Sequence, residues 1–420
     1  MINRCIVRIW HIWTGDCMQV KTLSREEYEV ALEALGVDIP VEQLPVWQDF
    51  ESTVDGRSPW GYVAVLRDGE TAAIASFVQY ETHGYRYLRA HHAPVWAAAP
   101  SAQDEAEALE ALVAHIKQAD RSQIFMRLAV DHELPMTRPC LSTLPYDTTV
   151  VVDLSGGEEA IFSRMKPRGR RDVRKALREC PASMADETDL AAASFEEYHK
   201  IMCDTAARDG FVPAPCTYYA NMMRVLGPDH CRVYAARIDG ELVGWSFVTI
   251  SGSVATRYYA ATVSGAGRLH VADALVHFEM MHVAELGCTS YDLMGIGSEF
   301  APETMNLNEF KTKFAKEGTV RIAPDRDVPI KGGFYAALQG VKKLRARRTV
   351  RSPSAVSTVP SCPYRSRTCR TQSVILSLPE SKNRPAPQRV PSAVPPCAAG
   401  SPPKRSSPPR RGSARTRCPL

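Results

Sequence analysis

The sequence predicts a mixed α+β fold in which one unit is used twice. Three observations carry that reading. Residues 63–79, VAVLRDGETAAIASFVQ, and residues 233–249, VYAARIDGELVGWSFVT, share one order of strand, Asp-Gly turn, Glu and strand. Each copy then runs through a further strand into a long helix-spaced stretch and returns in an apolar strand. Residues 346–420 differ in composition from all that precedes them.

The elements follow in order. Asp68-Gly69 and Asp239-Gly240 between alternating apolar runs are a strong hairpin signal, because a tight I′ turn needs positive φ at both central residues. YRYLRA (85–90) and VATRYYAA (254–261) supply the third strands, and residues 102–119 and 268–286 have helical spacing. QIFMRLAV (123–130) and SYDLMGI (290–296) close the two copies. The second copy carries helices upstream, over 158–178, 190–208 and 217–226. After it come the strand TVRIAPD (319–325) and a helix over 334–345, both expected to pack on the first copy. The expected domains are 18–148 completed by 317–345, then 149–316, with 346–420 as a disordered tail. Hairpin strands, a helix and a returning strand form a mixed sheet that resembles the N-acyltransferase (GNAT) fold, and two copies imply a duplicated core of two tandem GNAT-like domains.

The formal charge of +4 hides two populations of residues. Residues 346–420 contain 15 Lys and Arg against one acidic residue, Glu380, and the remainder holds 36 basic against 46 acidic residues. That tail also has 14 of the 30 prolines and too few apolar residues to offset the entropy of ordering it. A basic arm for nucleic acid and a C-terminus read in a shifted frame both fit the abrupt change after Arg345. Residues 1–17 are too short and interrupted for a membrane span, so ordinary domain sequence is expected to start at Met18. The twelve cysteines include no C-x-x-C pair, which with no secretion signal points to a reducing cytoplasm.

The most informative stretch is 307–318, LNEFKTKFAKEG. Helical spacing places Leu307, Phe310, Lys311 and Phe314 on one face, with Asn306 and Glu309 as a cap and Gly318 as a stop. Lys311 then sits on the apolar side, whereas Lys313 and Lys316 look outward. Upstream, RMKPRGRRDVRKALRE puts Arg171, Arg174, Lys175 and Arg178 on one face of a helix, a stripe suited to pyrophosphate or an RNA backbone.

MKPRGRRDVRKA (165–176), TAARDGFVPAPCTYY (205–219), RYYAATVS (257–264), and YDLMGI followed by NEFKTKF (291–314) together resemble the Fem peptidyltransferases, which extend the peptide cross-bridge of bacterial cell walls. The resemblance spans about 44–338. It implies two GNAT-like domains and transfer of an amino acid from aminoacyl-tRNA to the stem-peptide amine of a lipid- or nucleotide-linked peptidoglycan precursor, with peripheral contact to the inner membrane face through a lipid-linked substrate. It also implies that Lys311 steadies the tetrahedral oxyanion beside Phe310, and that Tyr219 and Tyr259 contact the precursor. Arg171 and Arg174 are expected to bind polyanionic substrate. Asp131 is the candidate for holding the attacking amine, and a strand-end turn is its plainer explanation. Where the family commonly has an arginine before the aromatic pair, this chain has Pro215 or its neighbours, which leaves the exact acceptor open.

No cofactor or metal is expected: His270, His277 and His282 lack the i, i+4 ligand spacing. The competing reading is an acetyl-CoA-dependent N-acyltransferase using Ser264-Gly265-Ala266-Gly267-Arg268 before a helix as a pyrophosphate loop. The Arg or Gln that usually opens such a loop is Thr262 here. A non-catalytic RNA-binding protein acting through the tail is the third.

Overall fold

The computed structural model describes residues 18–351, except Ser142 and Leu144, with side chains through Leu344. The expectations for residues 1–17 and for the tail beyond Arg351 lie outside the described residues.

The first half of the chain comprises β1 (Gln19–Leu23), α1 (Arg25–Leu35), α2 (Pro45–Glu51), β2 (Arg57–Arg67), β3 (Glu70–Thr82), β4 (Tyr85–Ala90), β5 (Val95–Trp96), α3 (Ala102–Ala119) and β6 (Gln123–Ala129). The second comprises β7 (Thr148–Asp153), α4 (Gly157–Arg164), α5 (Pro167–Glu179), β8 (Ser183–Asp186), α6 (Thr188–Ala193), α7 (Glu196–Asp209), α8 (Cys216–His230), β9 (Cys231–Ile238), β10 (Glu241–Ser251), β11 (Val254–Thr262), α9 (Val271–Glu285), β12 (Ser290–Gly295), α10 (Asn308–Lys311) and β13 (Thr319–Arg321). β14 (Asp325–Pro329) and α11 (Gly332–Arg351) complete the described chain.

These strands form two seven-stranded sheets among the described residues. In the first, β2, β3 and β4 are antiparallel neighbours and β4 pairs in parallel with β6 across α3. In the second, β9, β10 and β11 repeat that order and β11 pairs in parallel with β12 across α9. The duplication in the sequence is thus a duplication of topology. Its hairpins turn as the residues require: Asp68 and Gly69 have φ of 53° and 85°, and Asp239 and Gly240 have 51° and 86°.

Local chemistry sets the helix ends. Ser101 and Asp104 close a reciprocal capping box at the start of α3, whose Leu109, Leu112 and Ile116 are buried against the first sheet. Each such side chain contributes about 1.5–3 kcal/mol by leaving water. The helix expected over 158–178 is two, because residues before a proline avoid helical backbone: Met165 and Lys166 are extended ahead of Pro167. Likewise 190–208 falls into α6 and α7, and the start of 268–286 is a 3-10 turn that ends at His270, whose φ is 58°.

The two halves share one apolar core. Val41, Trp47 and Phe50 from the first half pack among Tyr218, Tyr219, Tyr258 and Tyr259 of the second. The Phe50 and Tyr218 ring centroids lie 5.1 Å apart, and those of Trp47 and Tyr258 lie 5.6 Å apart.

The returning segment departs from expectation. TVRIAPD does not join the first sheet as one strand: Thr319–Arg321 pairs with β7 at the edge of the second sheet. Pro324 has no N–H to continue a ladder, and its carbonyl instead accepts from the Val130 N–H at 3.0 Å. The chain crosses there, and β14 pairs with β6 in the first sheet. A fully buried ion pair fixes this return, with Arg127 Nε 2.6 Å from Asp327 Oδ1. Asp327 also accepts from Leu141 N and Tyr335 Oη, each at 3.0 Å.

Removing one member of a buried pair leaves an uncompensated charge. Asp327→Ala should therefore cost about 3–5 kcal/mol of unfolding free energy in urea titration. A loss below about 1 kcal/mol would show that the pair does not hold the return.

Candidate active site

β12 does not end by fraying. Met294 takes a left-handed conformation, φ 63°, that a non-glycine residue adopts at a cost. Its N–H is held at 2.7 Å by the carboxylate of Asp292, two residues earlier, which also accepts from Thr149 Oγ1. Gly295 follows because a Cβ there would overlap the Tyr146 ring, and Gly297 because a Cβ would overlap the backbone of Met305.

This strand exit is clamped by α10. Asn308 and Lys311 are three residues apart and so project from one face. The Asn308 amide bonds reciprocally to Gly297, accepting from its N–H at 2.7 Å and donating to its carbonyl at 2.8 Å. One turn later, Lys311 Nζ donates to the carbonyls of Gly295 at 2.8 Å and Met294 at 3.2 Å. An ammonium has three N–H donors, so one remains for another acceptor.

Burial pushes the Lys311 pKa down from the usual 10.5 to about 7; the Asp292 carboxylate opposes this and Arg257 adds to it. Asp292 moves the other way: burial raises it, against its bonds from Thr149 and the Met294 N–H and the nearby charges of Lys311 and His92.

A cavity of about 480 Å³ adjoins this exit, lined from both sheets and from the crossing chain. Asp292 and Met294 face it from the second sheet, Asp131 from the end of the first, and Arg321 and Ile322 from the crossing. Its ionisable lining is mostly acidic, with Asp38, Glu42 and Glu105 added to Asp131 and Asp292, against His92 and Arg321. Glu105 is already engaged, accepting from the Asp131 and His132 N–H groups at 2.7 and 2.8 Å.

The structure separates the residues singled out from sequence. Lys311 and Asp131 belong to this region, Lys311 behind the Met294 backbone and Asp131 on the cavity wall, 3.3 Å from Arg321. Phe310 is half-buried, edge-on to Phe314 at 5.3 Å. Tyr219 and Tyr259 are 0% and 6% exposed in the aromatic core and do not line the cavity. Arg171 and Arg174 are exposed on α5 as the stripe requires, Arg174 lying 5.3 Å from the Phe162 ring.

Two expectations are corrected. The helix over 307–318 is only Asn308–Lys311, preceded by a 3-10 turn from Pro302 to Leu307, so Asn306 has no fresh helix start to cap. Beyond Lys311 the backbone bonds sideways: the Lys313 carbonyl accepts from Lys166 N at 3.1 Å, and Lys316 N donates to the Arg164 carbonyl at 2.7 Å. Lys313, expected in solvent, is buried between Asp172 at 3.6 Å and Asp273. Gly169 allows this docking, since a Cβ there would overlap the Lys313 carbonyl. The basic helix α5 is thereby seated on the segment that carries Lys311, reinforced by Lys166 Nζ donating to Thr312 Oγ1 at 2.8 Å.

Sequence reasoning passed over Asn308 and Asp292. The visible signal was an Asn three residues before the lysine, and an Asp two residues before Met-Gly. The stretch with Gly265 and Gly267 leads into a 3-10 helix, Ala266–Leu269, between β11 and α9.

Comparison with known proteins bears on the fold and the family resemblance. Residues 167–311 match the family model described as an acetyltransferase (GNAT) domain. Over 149 residues the chain is 26% identical to the UDP-N-acetylmuramoylpentapeptide-lysine N(6)-alanyltransferase of Weissella viridescens. That match takes in 35% of this chain and 43% of that protein, so the chain spans less than half the length of this curated relative. The crystal structure of FemX superimposes with a TM-score of 0.60 at 15% identity, over 76% of this chain and 99% of that one. The two-sheet GNAT-like fold and the resemblance to the Fem peptidyltransferases are both borne out.

If the Asn308 amide holds the strand exit in register, Asn308→Ala leaves the Gly297 N–H and carbonyl without partners and should cost about 1–3 kcal/mol in thermal unfolding. An unchanged melting temperature would show that water replaces the amide.

Proposed function

We propose that this protein is a Fem-type aminoacyltransferase that moves an amino acid from aminoacyl-tRNA to the stem-peptide amine of a peptidoglycan precursor. The observation that carries the reading is Lys311: a half-buried ammonium, pinned by two carbonyls with one donor to spare, behind the wall of an acid-lined cavity between two GNAT-like halves. The alanyltransferase likeness supplies the substrate class.

The chemistry follows from these groups. The acceptor amine attacks the ester carbonyl that joins amino acid to ribose, forming a C–N bond and an oxyanion. The spare Lys311 N–H is suited to that oxyanion, because a fixed donor in a water-poor site needs little reorganisation when charge develops. Collapse breaks the C–O bond, and the ribose oxygen takes up the proton the amine gives up. The acidic wall favours a cationic amine on approach, with Asp131 and Asp292 as its candidate holders. The exposed face of α5, bearing Arg171 and Arg174, is assigned to substrate phosphate. A lipid-linked precursor would also bring the protein to the inner membrane face. Tyr219 and Tyr259 act here by supporting the core from which α8 and β11 present their neighbours.

Acetyl-CoA-dependent N-acyl transfer is the second reading, favoured by the GNAT family match. Incubating the protein with a mixture of charged tRNAs, acetyl-CoA and purified precursor separates the two by mass. An aminoacyl increment on the stem peptide is expected, and an acetyl increment would replace the proposal.

Lys311→Ala should lower turnover by about 10²- to 10³-fold. Lys311→Met, which keeps most of the stem, should do the same, and near-normal turnover in either folded variant would remove the lysine from the chemistry. The pH profile gives the sign of its role. Below about 7 the ammonium is present, and it is lost as pH rises through about 7. Oxyanion stabilisation therefore requires turnover to fall above that point, and a rise would make the neutral amine a proton acceptor instead. Arg171→Glu with Arg174→Glu should weaken polyanion binding and flatten its salt dependence; unchanged binding would make α5 a solvated face.

A further inference from the structure

α11 packs on the first sheet by one stripe and leaves the next uncovered. Tyr335 is buried, 5.3 Å from the Phe125 ring. Gln339 Nε2 donates to the Tyr335 hydroxyl at 2.9 Å, and Lys342 Nζ donates to the Cys140 carbonyl at 2.9 Å. These residues, with half-buried Leu338, form the attached side. Phe334, Val341 and Leu344 are 48%, 47% and 61% exposed and, with exposed Ala337, fall at helical spacing on the adjacent side.

The charge of this segment has one sign. Residues 331–351 contain Lys331, Lys342, Lys343, Arg345, Arg347, Arg348 and Arg351 and no acidic residue. Lys331, just before the helix, and Lys343, near the far end of its described side chains, are exposed. No helix among the described residues is long and apolar enough to cross a membrane. An exposed apolar stripe on a segment whose charges are all basic suits a helix lying in the interface of a bilayer.

We propose that α11 is a docking surface for anionic lipid, with Phe334, Val341 and Leu344 at the acyl boundary and the basic charge of the segment drawing it to headgroup phosphates. Charge selects this occupant. Residues 352–420 and a second copy of α11 are strongly basic themselves and would be repelled. An RNA backbone would satisfy the cations and leave three large apolar side chains in water. The inference stands apart from the acyl-transfer reading, because it concerns where the protein sits and needs no substrate.

Co-sedimentation of the full chain with phosphatidylglycerol/phosphatidylcholine vesicles tests it, with phosphatidylcholine vesicles and a polyribonucleotide as the other arms. Binding to the anionic vesicles is expected, and Val341→Glu with Leu344→Glu should weaken it about tenfold or more. Both positions are exposed, so circular dichroism should stay unchanged. Phe334→Trp should add a component whose emission shifts to the blue on anionic vesicles, measured against the parent protein. Equal binding by the glutamate variant would assign membrane affinity to residues beyond α11 and overturn the proposal. So would equal binding to neutral vesicles, or an added indole emission that ignores the vesicles while the polyribonucleotide binds tightly.

Discussion

Arg127 and Asp327 lie 200 residues apart and are both fully buried, and their pairing fastens the last strand of the chain to the first sheet. Much else follows from that attachment. The chain has left the second sheet at β13 only four residues before β14 begins, so the crossing is short. Arg321, Ile322 and Ala323 are drawn across the gap between the sheets and become a wall of the cavity. A buried charge pair contributes little net stability compared with an apolar replacement, but it penalises every arrangement that leaves either charge alone. The return is thereby specified as well as held. The same carboxylate accepts the Tyr335 hydroxyl, so the anchor also seats α11.

The candidate site is built on backbone as much as on side chains. Met294 holds a strained conformation because Asp292 captures its N–H, and the carbonyls this exposes are the ones that hold Lys311. Asn308 fixes the next peptide group from the same helix face. Lys311 is thus a lysine whose charge is made costly by burial and by Arg257 and returned in part by the Asp292 carboxylate, which brings its pKa near neutrality. A cation poised in this way interacts strongly with a charge that develops beside it.

Much of this architecture is legible in local pattern. The two Asp-Gly hairpins have the backbone their residues demand, and the residues 102–119 helix matches its period end to end. Lys311 stands out for its place between phenylalanines, and the Fem resemblance rests on motifs in the same stretch. The details around it are not legible, because they depend on bonds between distant segments. Past α10 the chain is drawn aside, the Lys313 carbonyl pairing with the Lys166 N–H and the Lys316 N–H with the Arg164 carbonyl. Lys313 turns inward because Asp172 and Asp273, from two other helices, are there to receive it.

The sequence by itself determined the duplicated unit, its hairpin turns, the basic face of α5 and the place of Lys311 between two phenylalanines, all written in spacings of a few residues. Tertiary structure alone decided that TVRIAPD divides between two sheets, that Tyr219 and Tyr259 are core, and that Asp292 and Asn308 complete the lysine's surroundings. The physical reason is range. Periodicity and turn chemistry act on neighbours along the chain, whereas burial, carbonyl direction and charge pairing are set by whichever segments the fold brings together.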